Sequence, residues 1–229
     1  MNADDPPLTE LPLFPLQSVL FPGGLLPLRI FEVRYLDMIG RAHKEGRPFG
    51  VVCLSEGSEV RRAPPAGSPP RGDGFAHEAF QPLGTLAHIT DLSRPQPGLM
   101  MIRCTGGKRF RLDRSEQLRH GLWVGDATAL PDDTPLAVPD DLAVAARALQ
   151  GLLRQIEAQA GSAAELPLQA PWRWDDCGWL ANRWCELLPL EAAQKHRLMA
   201  LDSPLLRLEL VVDELKRLGV DRQFGSGPG

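Results

Sequence analysis

The residues best equipped for chemistry in this chain are few, and their spacing is wrong for it. His77-Glu78-Ala79-Phe80-Gln81 comes one residue short of the zinc motif H-E-x-x-H. That motif needs two imidazoles one helical turn apart, and Gln81 is a poor substitute for the second. Pro82 and the Gly-Pro-rich stretch ahead of His77 also argue against a helix there. Gly107-Lys108 hints at a phosphate loop. Arg109 stands where the metal-binding hydroxyl belongs, however, and Ile102 where the first glycine belongs. Gly106-Gly107 reads instead as a hairpin turn between Cys104 and Arg109. No serine occupies a G-x-S-x-G elbow. Cys177 and Cys185 lack C-x-x-C spacing, and burial explains them. His43, His88, His120 and His196 are scattered over different segments. Asp140-Asp141 and Asp175-Asp176 open predicted helices, where the dipole accounts for them. Arg71-Gly72-Asp73 spells an adhesion tripeptide by chance. No catalytic, cofactor or metal set emerges, so a non-enzyme is expected.

Residues suited to binding are more promising. Arg29, Glu32 and Arg34 cluster in one short stretch and read as an ion pair fixing a strand-to-helix turn. Trp172, Trp174, Trp179 and Trp184 fall close together. Trp184 lies on the apolar seam of its helix. Trp179 points away from that seam, so it either packs between domains or is an exposed recognition anchor. Phe14, Leu20, Phe21, Pro22 and Leu25 sit in apolar loops ahead of or beside Gly23-Gly24, where a glycine pair lets another backbone approach. They either contact a polypeptide or plug the end of a barrel.

The elements holding these residues change character along the chain. Pro12, Pro15, Pro22 and Pro27 rule out a helix over 11–28, leaving short apolar strand pieces at 11–16, 19–21 and 25–28. From Phe31 the period becomes helical, with Phe31, Tyr35, Met38, Ile39 and Ala42 on one face of a helix over 31–44. Further strands are expected at 50–55, 83–92, 99–104, 109–112 and 122–130, together forming a small barrel. The aperiodic 55–82 stretch is either mobile or functional. Past a break at 131–139, helices are expected from Pro139, over 175–188, over 191–201 and over 205–218. Ser203 is a good N-cap, Pro204 a good first residue, and Gly219 a stop. The last helix is apolar nearly all round and is expected in the middle of a bundle.

The run Leu11 to Tyr35 resembles the opening of the Lon protease N-terminal, substrate-binding domain, whose pattern is roughly LPLFPL-x-x-VLFPG-x-x-LPLRIFEPRY. Val33 stands where proline is usual. Phe49-Gly50-Val51-Val52, Gly84-Thr85-Leu86-Ala87-His88-Ile89 and Gly106 to Arg111 resemble its later strands. Leu187-Leu188-Pro189-Leu190 to Lys195, then Leu208, resemble its helical tail. The resemblance implies an α+β fold: a PUA-like β-barrel domain with one helix over 8–131, then a helical bundle over 137–219, between flexible termini at 1–7 and 220–229. It also implies a stand-alone copy without the ATPase and serine-lysine protease modules.

Composition fits that picture. The chain has 229 residues with a formal net charge of -4 and 43% hydrophobic content, ordinary for a soluble domain. An acidic balance argues against nucleic acid as partner. The polar, acidic start is unlike a secretory signal and no apolar run spans a membrane, which implies a cytoplasmic protein; the resemblance implies a bacterial one. The reading is therefore a non-catalytic module that binds unfolded or partly exposed polypeptide, working alone or with Lon or another protease or chaperone. The alternative is RNA binding, by analogy with other PUA-like folds.

Overall fold

The computed structural model describes residues 7–57, 59, 78–160 and 166–220. Contacts divide the chain into Met1–Asp132 with Glu191–His196, and Asp133–Leu190 with Arg197–Gly229. The zinc-like His77 and the tripeptide at 71–73 lie outside the described residues, as does most of the 55–82 stretch.

The first unit runs β1 (Leu8–Leu16), β2 (Leu25–Ile30), α1 (Val33–Glu45), β3 (Phe49–Glu56), β4 (Ala79–Gln96), β5 (Leu99–Gln117) and β6 (Trp123–Ala129). Its mixed sheet has the order β2-β5-β4-β3-β1-β6, and β6 returns to pair with β5. Strands β1, β3, β4, β5 and β6 thus close a ring that leaves β2 outside it. β1 and β3 run parallel, from Leu13 opposite Gly50 to Leu16 opposite Cys53. Both are buried on their two faces, which is why their sequences read as near-continuous apolar runs. Leu11, Leu13, Val52, Leu86, Phe110 and Ala127 form one core cluster. Phe14, Phe49 and Val51 alternate to the other side and pack with Tyr35, Met38 and Ile39 of α1.

Three expectations are corrected here. The 19–21 piece is not a strand: it forms a loop after β1. Gly106-Gly107 is not a turn, because β5 runs unbroken through both glycines. The strand changes partner there, from β2 at Leu25–Ile30 to β6 at Phe110–Gln117. The glycines answer a close approach instead. Gly23 N–H donates to the Gly106 carbonyl at 2.7 Å, Gly106 N–H donates to the Gly24 carbonyl at 2.9 Å, and a Cβ on Gly106 would strike the carbonyl of Phe21. Third, α1 begins at Val33, with Glu32 as its N-cap, so Phe31 falls off the apolar face and is exposed.

Later in the chain a 3₁₀ turn at Asp140–Leu142 precedes α2 (Val144–Ala160), followed by α3 (Cys177–Leu187), α4 (Ala192–Met199) and α5 (Pro204–Leu218). The division between units falls within α4. Asp176 caps α3 by accepting from Trp179 N–H at 2.8 Å, and Ser203 caps α5 by accepting from Leu206 N–H at 3.3 Å. Trp184 is buried, and its indole N–H donates to the Ala145 carbonyl at 3.0 Å. α5 buries Arg207, Leu208, Val211, Val212 and Leu215 but exposes Leu206, Leu210 and Leu218. It is therefore buried on one face and not all round, while it packs with the 3₁₀ turn, α2 and α3. The Arg207 guanidinium donates to Asp133, to Asn182 and to the carbonyls of Leu198 and Leu201, which ties the segment after Asp132 to α3 and the α4–α5 turn.

Candidate functional site

The structure separates the sequence-derived contact residues into buried and accessible sets. Phe14 is buried, its ring centre 4.2 Å from that of Tyr35. Leu20 is buried too, and its carbonyl accepts from the Thr85 hydroxyl at 2.6 Å. Phe21 is 0% exposed. These three fill the interior in this structure. Pro22 and Leu25 are half-buried. Trp179 is also half-buried, set edge-on to Trp174 at 5.1 Å and to Trp172 at 6.1 Å between ring centres. Trp172 and Trp174 stack at 5.3 Å. This indole cluster is built inside the second unit. The sequence reading weighed inter-domain packing against an exposed anchor and did not anticipate it.

Among the described residues, the exposed large apolar side chains of the first unit are Phe31, Val33 and Met101, at the end of β2 and on the strand paired with it. Along the strand, Leu26, Leu28 and Ile30 pack against the core, while Pro27 and Arg29 are exposed. The same alternation carries Phe31 outward, 54% exposed, and Val33 follows at 76%. Met101 lies directly across from Arg29 on β5 and is 37% exposed. Among the described residues β2 pairs with β5 alone, so its other edge carries no strand. Sequence reasoning missed Phe31, Val33 and Met101. The period-2 signal of Leu26, Leu28 and Ile30 would have found Phe31, had the helical period not been extended back to it.

A buried charge cluster holds this corner. Arg34 reaches Glu32 at 3.1 Å and Glu78 at 3.3 Å, and donates to the Gly121 carbonyl at 3.0 Å. Its guanidinium lies 4.5 Å from the centre of the Tyr35 ring. Glu78 accepts a further bond from the Trp123 indole at 2.7 Å. Burial opposes the charge on Arg34, but Tyr35, Glu78 and Glu32 together outweigh it and raise its pKa. The cluster joins the start of α1 to the start of β4 and the start of β6, and so bears out the reading of Glu32 and Arg34 as a structural ion pair. Arg29 stands apart from it. The residues after Glu78 form a strand, which removes the helical frame that a zinc motif would require.

Cys53, Cys104 and His196 are buried. Burial raises the pKa of Cys53 and pushes Cys104 up to about 12, so neither is a ready nucleophile. Burial lowers the pKa of His196, partly offset by its bond to the Leu83 carbonyl at 3.2 Å. A groove of about 840 Å³ runs between the first half of β1 and the last turns of α1, lined by Leu8, Glu10, Pro12, Arg41 and Glu45 among others. Its lining carries charges of both signs. Among the described residues no group of three or more His, Cys, Asp or Glu could hold a metal ion. No described helix is long and apolar enough to cross a membrane.

Comparison with known proteins gives the arrangement a context. The family described as the ATP-dependent protease La (LON) substrate-binding domain matches residues 10–217. The crystal structure of a Lon N-terminal domain protein from Xanthomonas campestris superposes with a TM-score of 0.65 at 28% identity, covering 89% of this chain and 96% of that one. The N-terminal domain of the Mycobacterium avium complex Lon protease superposes at 0.55 with 17% identity over the same shares, a likeness of fold alone. No curated protein matches the sequence.

Proposed function

The chain belongs to the LON substrate-binding domain family, and on that premise we propose that it recognises exposed stretches of polypeptide without performing chemistry on them. The observation that carries this reading is the apolar corner of the first unit. Phe31, Val33 and Met101 are exposed next to a strand whose outer edge carries no strand among the described residues. Large apolar side chains held in water on a rigid strand and helix start suit transient capture of apolar segments. Pro22 and Leu25, half-buried at the entry to β2, extend the contact, and Trp179 with Trp172 offers a second contact on the helical unit. Phe14, Leu20 and Phe21 hold these residues in place from within. Partners of this kind are unfolded segments, passed on to Lon or to another protease or chaperone.

Fluorescence anisotropy with reduced, carboxymethylated α-lactalbumin tests the reading, with native α-lactalbumin as control. Saturable binding of the unfolded form, weakened by Phe31→Ser in a chain that keeps its stability, is the expected result. Equal binding of both forms, or none, overturns it. A single-stranded RNA arm separates the alternative, because RNA binding would be steeply salt-dependent.

A further inference from the structure

We propose that the open edge of β2 takes up its polypeptide as an added strand, and that the segment it selects carries an acidic residue among apolar ones. This rests on the polypeptide reading above and specifies its mode. Among the described residues β2 is a six-residue strand paired on one side only, with register fixed by six pairs from Leu25 opposite Thr105 to Ile30 opposite Met100. Its inner side chains, Leu26, Leu28 and Ile30, anchor it to the core. An extended segment laid along the free side would gain main-chain hydrogen bonds whatever its sequence, which suits a surface that must accept many segments. Pro27 cannot donate, and an edge strand is where that loss costs least. The same proline discourages indiscriminate pairing of two such edges.

Side chains then supply selectivity. The solvent face of β2 continues from Pro27 and Arg29 to Phe31, with Met101 beside Arg29. Alternate residues of an added strand would lie beside the exposed side chains of this face, next to Arg29 and, at its end, Phe31. The charge there is one-sided. Arg103, opposite Pro27, also lies opposite Asp91 on β4, whereas Arg29 lies opposite Met101 and has no acid in register. An incoming carboxylate would complement Arg29, and an incoming ammonium would be repelled.

The test uses the full chain and a fluorescein-labelled hexapeptide, Val-Leu-Glu-Val-Leu-Thr, N-methylated at one position at a time. Strand addition predicts loss with a period of two: about tenfold at alternate positions, as expected for one hydrogen bond, and little change between them. Arg29→Glu should reverse the preference between this peptide and its lysine-for-glutamate counterpart. Methylation tolerated everywhere, loss without a period, an unchanged preference in Arg29→Glu, or no peptide binding by a chain that still binds unfolded α-lactalbumin overturns strand addition alone. If the unfolded protein does not bind either, the polypeptide reading itself fails.

Discussion

Phe21 and Phe31 belong to one apolar run and have opposite fates. Phe21 is fully buried, its loop stitched to β5 through Gly23, Gly24 and Gly106. Phe31 stands more than half exposed at the end of an edge strand. Residue type does not separate them. What does is the number of neighbours the backbone brings: the loop before β2 is closed over by β5, whereas β2 itself is paired on one side only among the described residues. An apolar side chain next to an unpaired edge is available to a partner, and one beneath a paired strand is not.

The largest test of this contrast is Phe21→Ala, which should lower stability by about 3–5 kcal/mol in chemical denaturation, as for other buried aromatics. Phe21→Asp would place a carboxylate in the same space and would report on folding instead of binding. Next comes Glu78→Ala, which leaves the Arg34 charge buried with fewer partners and should cost about 3 kcal/mol by the same measurement. It would show that the corner presenting Phe31 is held from below. A smaller effect belongs to His196. Its pKa in the fold lies below the ordinary 6.5, so the unfolded chain takes up the proton first. Stability should be fully present above about pH 6.5 and fall as the pH drops below it, by at most about 1.4 kcal/mol per pH unit. His196→Gln should flatten that slope in denaturation midpoints measured from pH 7 to 5. The smallest change in stability, within about 0.5 kcal/mol, is expected for Phe31→Ala. The same variant should weaken binding of unfolded α-lactalbumin by about fivefold, as for an interface residue worth roughly 1 kcal/mol. A loss of stability matching that of Phe21→Ala would erase the contrast.

Local chemistry made the helical half easy to read. Ser203, Pro204 and Gly219 mark both ends of α5 in the sequence, and each acts within a turn of itself. The sheet depended on partners far away in the chain. Gly106-Gly107 has the composition of a turn, yet it serves the approach of the Phe21 loop, a contact that no local pattern encodes. Phe14, Leu20 and Phe21 were visible as an apolar group, but their burial depends on α1 and β5 closing around them. Phe31 satisfied both a helical and a strand period, and the helix start at Val33 decides in favour of the strand. Conversely, Glu78 gave no sign of its partner, because Arg34 lies on a different element and 44 positions away.

Closure of the ring also sets a schedule. The first strand must wait for the last: Glu10 N–H donates to Asp126, 116 positions along the chain. At a synthesis rate of about 5–20 residues per second, that interval is on the order of ten seconds. Throughout it, the apolar run of β1 leaves the ribosome without the strand it will pair with on one side. A newly made copy of this chain therefore passes through a period in which it is itself an exposed apolar polypeptide, of the kind its finished form is proposed to bind.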